Sequence, residues 1–108
     1  MGIYFYLCCM KIGKILKRLR KRRKSQGYAD SIEAIEIVSK IARNTVSRIE
    51  RGSLDKHPKN LLVLAALYGV SVGEILVMSL EKEDCGKGWQ EIEKLKNKLI
   101  IKHFSKID

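Results

Sequence analysis

Apolar residues recur at helical spacing along most of the chain. In KIGKILKRLRKRRK (11–24), Ile12, Ile15, Leu16 and Leu19 fall at i, i+3, i+4 and i+7, one apolar face of a helix. SQGYADS interrupts this pattern. Asp30 followed by Glu33, or Ser31 itself, can cap a second helix over 31–39, with Ile32, Ile35 and Val38 turned inward. A turn over 39–42 leads into a third helix, about 43–51, that buries Val46 and Ile49, and Gly52 supplies a left-handed stop. Pro58 suits the first turn of a fourth helix, whose run NLLVLAALY reads as core and ends at Gly69. Ser71 and Glu74 form a capping box for a fifth helix, GEILVMSL. After the linker EDCGKG, a last helix carries Trp89, Ile92, Leu95, Leu99, Ile100, Phe104 and Ile107 on about half its circumference. No segment alternates with a period of two, so the chain is expected to be all-α.

These elements divide the 108 residues into an apolar extension (1–10), a folded domain (11–80), a linker (81–88) and an amphipathic C-terminal helix (89–108). The opening MGIYFYLCCM is too short to span a bilayer, and its basic run follows the apolar stretch, unlike a secretory signal. Tyr6 stands where a myristoylation motif wants Ser or Thr. The extension is either a segment upstream of a start at Met10 or a small arm that packs on the body or a partner.

Charge changes the picture more than composition does. The net charge is +10, and residues 11–60 hold 15 Lys or Arg against 5 Asp or Glu. Residues 81–108 are nearly balanced, with seven bases and six acids. A basic half joined to a neutral half points to a polyanion-binding face. Cys8, Cys9 and Cys85 have neither metal-ligand spacing nor a disulfide pattern, and read as reduced thiols in the cytoplasm.

RNTVSRIERG (43–52) followed by HPKNLLVLAALYGVSVGEIL (57–76) resembles the helix-turn-helix domain of the lambda-repressor and Cro type, the xenobiotic-response-element (XRE) family. In that family a recognition helix ending in Ile-Glu-Arg-Gly precedes a loop, a proline, a leucine-rich helix and a Gly-Val-Ser step. The resemblance covers about residues 11–78 and implies a five-helix lambda-repressor-like fold. The chain departs from the family pattern at Ile35-Glu36, where Leu-Ala is usual. It departs again at Lys40 and Ala42, where glycine and an N-capping serine are usual, and its first connection is about a turn longer.

The resemblance implies that the third helix lies in the DNA major groove. With Val46 and Ile49 held inward, Arg43, Asn44, Ser47 and Arg48 become the candidate base-contacting residues. Arg bonds guanine in a bidentate manner, Asn pairs with adenine and Ser serves either. Thr45 is assigned to a phosphate at the helix start. Lys40, Arg51, Lys56 and Lys59 occupy positions where the family meets the sugar-phosphate backbone. The bases from Lys17 to Lys24 form a charge reservoir, of which about half is expected to be solvated. The family likewise implies that Glu50 pairs with Arg20 or Arg23. His57 is assigned to a cap or a phosphate, and His103 and Trp89 to structure.

No nucleophile with a partnered base, phosphate loop or metal-ligand cluster is visible, so a binding module needing no cofactor is expected. The leading reading is a cytoplasmic sequence-specific regulator of transcription, a repressor that binds a palindromic operator as a homodimer. Trp89, Ile92, Leu95, Leu99, Ile100 and Phe104 would supply the dimer or partner interface, unless that stripe packs back on its own domain. An antitoxin or antirepressor with autoregulatory DNA binding is the alternative. A non-specific basic protein that binds RNA is a third reading.

Overall fold

The structure, a computed structural model, describes residues 2–53 and 58–104, with side chains from Lys11 onward. Helix α1 spans Gly2–Arg22 and tightens into a 3-10 turn over Arg23–Gln26. Then follow α2 (Ile32–Ser39), α3 (Arg43–Glu50), α4 (Pro58–Tyr68), α5 (Val72–Ser79), α6 (Lys82–Cys85), a 3-10 turn at Gly86–Gly88 and α7 (Trp89–Phe104). The chain is all-helical, and no strand occurs among the described residues. Helix α1 runs through Met10 without a break, so the apolar extension and the first basic helix share one element.

Local chemistry sets most helix ends. The Ser31 hydroxyl accepts the Ala34 N–H at 3.1 Å and starts α2. Lys40 closes α2 in left-handed geometry (φ 64°), which costs a non-glycine residue about 1 kcal/mol. Ala42, the N-cap of α3, has no side chain to offer. Glu36 of α2 does that work instead, accepting the Arg43 N–H at 3.0 Å. The missing cap is thereby converted into a link that fixes α2 against α3. At the far end of α3, Gly52 (φ 89°) donates to Ile49 O, and Ser53 donates to Arg48 O at 2.9 Å. This is the Schellman arrangement that a glycine at C′ permits. Ser71 and Glu74 form the reciprocal capping box of α5, at 3.0 and 2.9 Å.

Leu16, Leu19, Ile35, Val46, Leu64 and Ile75 are wholly excluded from solvent and join α1 to α5 in one core. Two inward assignments need correction. Val38 is 51% exposed. At 3.6 residues per turn it lies well off the seam that Ile32 and Ile35 define, and that seam passes through Glu36 and Ser39 instead. In the leucine-rich run, Leu64 and Ala65 are buried but Leu62 and Val63 face solvent, so α4 is core on one side only.

The segment expected to be a linker is ordered by a long-range ion pair. Lys11 donates to both Asp84 oxygens, at 3.0 and 2.9 Å, and Asp84 also accepts the Glu81 N–H at 2.8 Å. The hydrogen bond from Lys11 holds the Asp84 carboxyl below the usual carboxylate range. Lys96 further donates to Leu80 O at 2.6 Å. With its start so placed, α7 folds back along α5, and Leu99 and Phe104 enter the common core. Those two residues, assigned above to an interface, are therefore internal, and Ile100 packs partly against the same core. Trp89 and Ile92 are half-buried and Leu95 is exposed. Among the described residues no single helix is long and apolar enough to cross a membrane; α4 and α5 together have the composition but meet at 92°.

Candidate nucleic-acid interface

Successive side chains on an α-helix are separated by about 100°. Val46, Ile49 and Glu50 are buried and mark the inner side of α3. The arc opposite them is occupied by Asn44, Ser47, Arg48 and, at the C-cap, Arg51. Asn44, Arg48 and Arg51 are exposed and Ser47 is half-buried. Arg48 rests its Nε against Asn44 O at 3.4 Å, a long bond that leaves its fork free to turn outward. Lys40 and Lys59 are also exposed, in the α2–α3 turn and the first turn of α4. Lys56, His57 and Ile107 lie outside the described residues.

Arg43 does not project with this group. It sits on the flank of α3, with Nε 3.6 Å from Glu36 and Nη1 4.0 Å from Glu33. Because Glu36 also caps the Arg43 N–H, backbone and side chain are both drawn toward α2. In this arrangement Arg43 braces the helix start, with its side chain still exposed. Thr45 lies on the other flank and is half-buried.

The charge reservoir on α1 is also smaller than the sequence implies. Arg20, Arg22 and Arg23 are all buried. Arg20 bonds both Glu50 oxygens, at 2.7 and 3.1 Å, and donates to Asp30 O at 2.6 Å. Its Glu50 hydrogen bonds raise its already high pKa. Arg23 donates to Ala29 O at 3.3 Å and lies 5.0 Å from the centre of the Tyr28 ring. Together these arginines tether the long connection between α1 and α2. Arg22 donates to Tyr68 O, to His103 O at 3.1 Å and to His103 Nδ1 at 3.2 Å, so it joins the ends of α1, α4 and α7. Lys14, Lys17, Arg18, Lys21 and Lys24 remain exposed, and Arg18 stacks 3.9 Å from the centroid of Phe104.

No protein-family model, curated protein or solved structure matches this chain. Among the described residues no group of three or more His, Cys, Asp or Glu could hold a metal ion.

The tie between α5 and α7 passes through a second polar cluster. Arg22 can only donate, so His103 Nδ1 must accept, and the proton on Nε2 faces Glu74 at 3.3 Å. Lys102 reaches the same carboxylate at 3.3 Å. The Ser71 N–H, with help from His103 and Lys102, lowers the Glu74 pKa from 4.5 to about 2. A carboxyl depressed on folding stabilises the native state above its unfolded pKa, and that stabilisation is lost as pH falls from about 4.5 toward 2. Screening at this part-exposed site limits the contribution to on the order of 1 kcal/mol. Urea midpoints of the parent chain should drop between about pH 6 and pH 3, and Glu74→Gln should flatten that drop. Parallel pH curves for the two proteins would show that Glu74 contributes nothing.

Proposed function

We propose that the chain binds double-stranded DNA in a sequence-specific manner through α3, as a lambda-repressor-like helix-turn-helix module. One observation carries this reading: Asn44, Ser47, Arg48 and Arg51 form a continuous outward arc on a short helix whose opposite side is locked into the core. These residue types can read adenine and guanine edges in a major groove, and the exposed Lys40 and Lys59 are suited to the flanking phosphates. A carboxylate-capped α3 on a rigid body presents its tips without further ordering, which limits the entropy lost on binding.

A single α3 offers few base contacts, so selective recognition calls for two copies on a two-fold operator. Action as a repressor follows if that operator overlaps a promoter. Selection from a random duplex pool should return inverted half-sites separated by about one helical turn, 34–36 Å. Recovery of unrelated sequences would leave only non-specific binding.

Side-chain replacement separates reading from positioning. Arg48→Ala is expected to cost about 1–3 kcal/mol on the selected duplex and little on random DNA. Lys59→Ala should weaken both duplexes alike and reduce the salt slope by about one. Equal loss on both duplexes with Arg48→Ala would show that α3 reads no sequence.

A further inference from the structure

Two adjoining clefts open where the end of α1 approaches α7. The larger, about 560 Å³, is lined by residues that include Arg22, Ser25, Gln26, Lys102 and His103. The smaller, about 400 Å³, shares Arg22 and Ser25 and adds Arg18, Lys21 and Lys24. Among the described residues neither lining contains a carboxylate, and five cationic side chains border the two clefts. Glu74, which belongs to neither lining, lies 3.3 Å from both Lys102 and His103.

The unusual member is Arg22. It is 8% exposed, and among the described residues no carboxylate lies within ion-pair distance of it. Its partners are two helix-end carbonyls and an imidazole nitrogen, which satisfy donors but supply no net negative charge. Its Nε is buried and has no hydrogen-bond partner among the described residues. A buried, uncompensated guanidinium is costly, and an anion nearby offsets that cost. Exposed lysines alone would be an ordinary solvated surface; lysines around a concavity floored by such an arginine are a different case. Gly69, also in the lining, leaves room at the wall because it has no side chain. The volume falls within the range of small-molecule sites.

We infer that the two adjoining clefts, which share Arg22 between the end of α1 and α7, bind a small, multiply charged anion of the phosphate class, with Arg22 at their common wall, Lys102 bordering the larger and Lys24 the smaller. The recognition chemistry is charge-assisted hydrogen bonding from guanidinium and ammonium groups to phosphate oxygens. Gln26 adds a carboxamide able to donate to the same oxygens. The inference does not rest on DNA reading by α3.

Calorimetric titration of the full chain with inorganic pyrophosphate at low ionic strength tests it. Saturable one-site binding is expected, weakened about tenfold or more in the Lys24→Ala/Lys102→Ala variant, since each charged hydrogen bond contributes substantially. Both lysines are exposed, and a far-UV spectrum and thermal midpoint check that the variant folds. A control variant, Lys14→Ala/Lys94→Ala, removes the same charge from exposed positions outside the cleft and should bind as the parent does. Equal losses in the two variants, or no saturable binding to the parent, would overturn the inference. A random duplex added in competition distinguishes the source of the phosphate. Retention of pyrophosphate on the DNA complex supports a separate small-molecule site, whereas one-for-one displacement gives the cleft to the nucleic-acid backbone. Duplex binding that depends on Arg48, without any pyrophosphate binding, would end this inference and leave the DNA reading standing.

Discussion

Replacing Gly13 by alanine is expected to destabilise the fold by about 2–3 kcal/mol, although alanine is the better helix former by about 1 kcal/mol. A Cβ built on Gly13 would lie 2.5 Å from Glu50 O, 2.6 Å from Ile49 O and 2.9 Å from Glu50 C. All three are backbone atoms of the last turn of α3, so no change of rotamer can relieve the clash. Relief requires α1 and α3 to separate, which opens the seam between Leu16 and Val46, both wholly buried. Gly73→Ala is the control. Its Cβ would meet nothing closer than Ser71 Oγ at 3.8 Å, so it should be neutral or stabilising by up to about 1 kcal/mol. Chemical denaturation of the two variants should therefore give opposite signs. If α3 reads DNA as proposed, Gly13→Ala should also weaken duplex binding, because the clash bears on α3 itself, and Gly73→Ala should not. A neutral Gly13→Ala would mean that α1 and α3 do not cross at backbone contact.

The same crossing illustrates which features the sequence makes legible. Gly13 stands between Ile12 and Lys14 in a helical run and looks like a weak helix position; only the approach of α3 gives it meaning. Periodicity locates Leu16, Leu19, Val46 and Ile49 because burial follows the helical repeat directly. Ser31, Gly52 and the Ser71–Glu74 box are equally readable, because a cap acts within one turn of its own residue. Long-range polar partners leave no such trace. Arg22 and Arg23 look like their exposed neighbours Lys21 and Lys24, yet they are buried by carbonyl acceptors contributed by segments as distant as α7. Lys11 and Asp84 are 73 residues apart, and without that contact residues 81–88 read as a linker. Glu36 leaves a partial trace, since it precedes a helix whose N-cap, Ala42, has no side-chain acceptor. For α7 the sequence is consistent with either an interface or packing on its own core. Periodicity shows that a face is apolar, not which surface covers it.

Glu50→Ala is expected to be the most damaging single polar substitution, costing about 3–5 kcal/mol. The Arg20 and Glu50 side chains are 9% and 5% exposed, and the pair is bidentate. Removing the carboxylate leaves a guanidinium that is buried and still charged, since no accessible pH neutralises it. Glu50→Gln should cost less, because the amide oxygen still accepts one of the two bonds. Replacing both partners, Arg20→Leu with Glu50→Leu, should recover most of the loss, because an apolar pair of similar volume avoids the desolvation penalty. A double-mutant cycle by urea denaturation measures this, and single variants within about 0.5 kcal/mol of the parent would show the pair to be solvated. Stability and function should then separate. Arg20 also donates to Asp30 O at 2.6 Å, one residue before the cap of α2, so it fixes where the α2–α3 pair leaves α1. The doubly apolar variant keeps the core but loses that anchor, and α3 can settle at more than one angle. If α3 reads DNA, the variant should retain near-parental stability and still lose affinity for the selected duplex. A variant that kept both would reduce Arg20 and Glu50 to filling space, and the orientation of α3 would have to be set by Glu36 and the core alone.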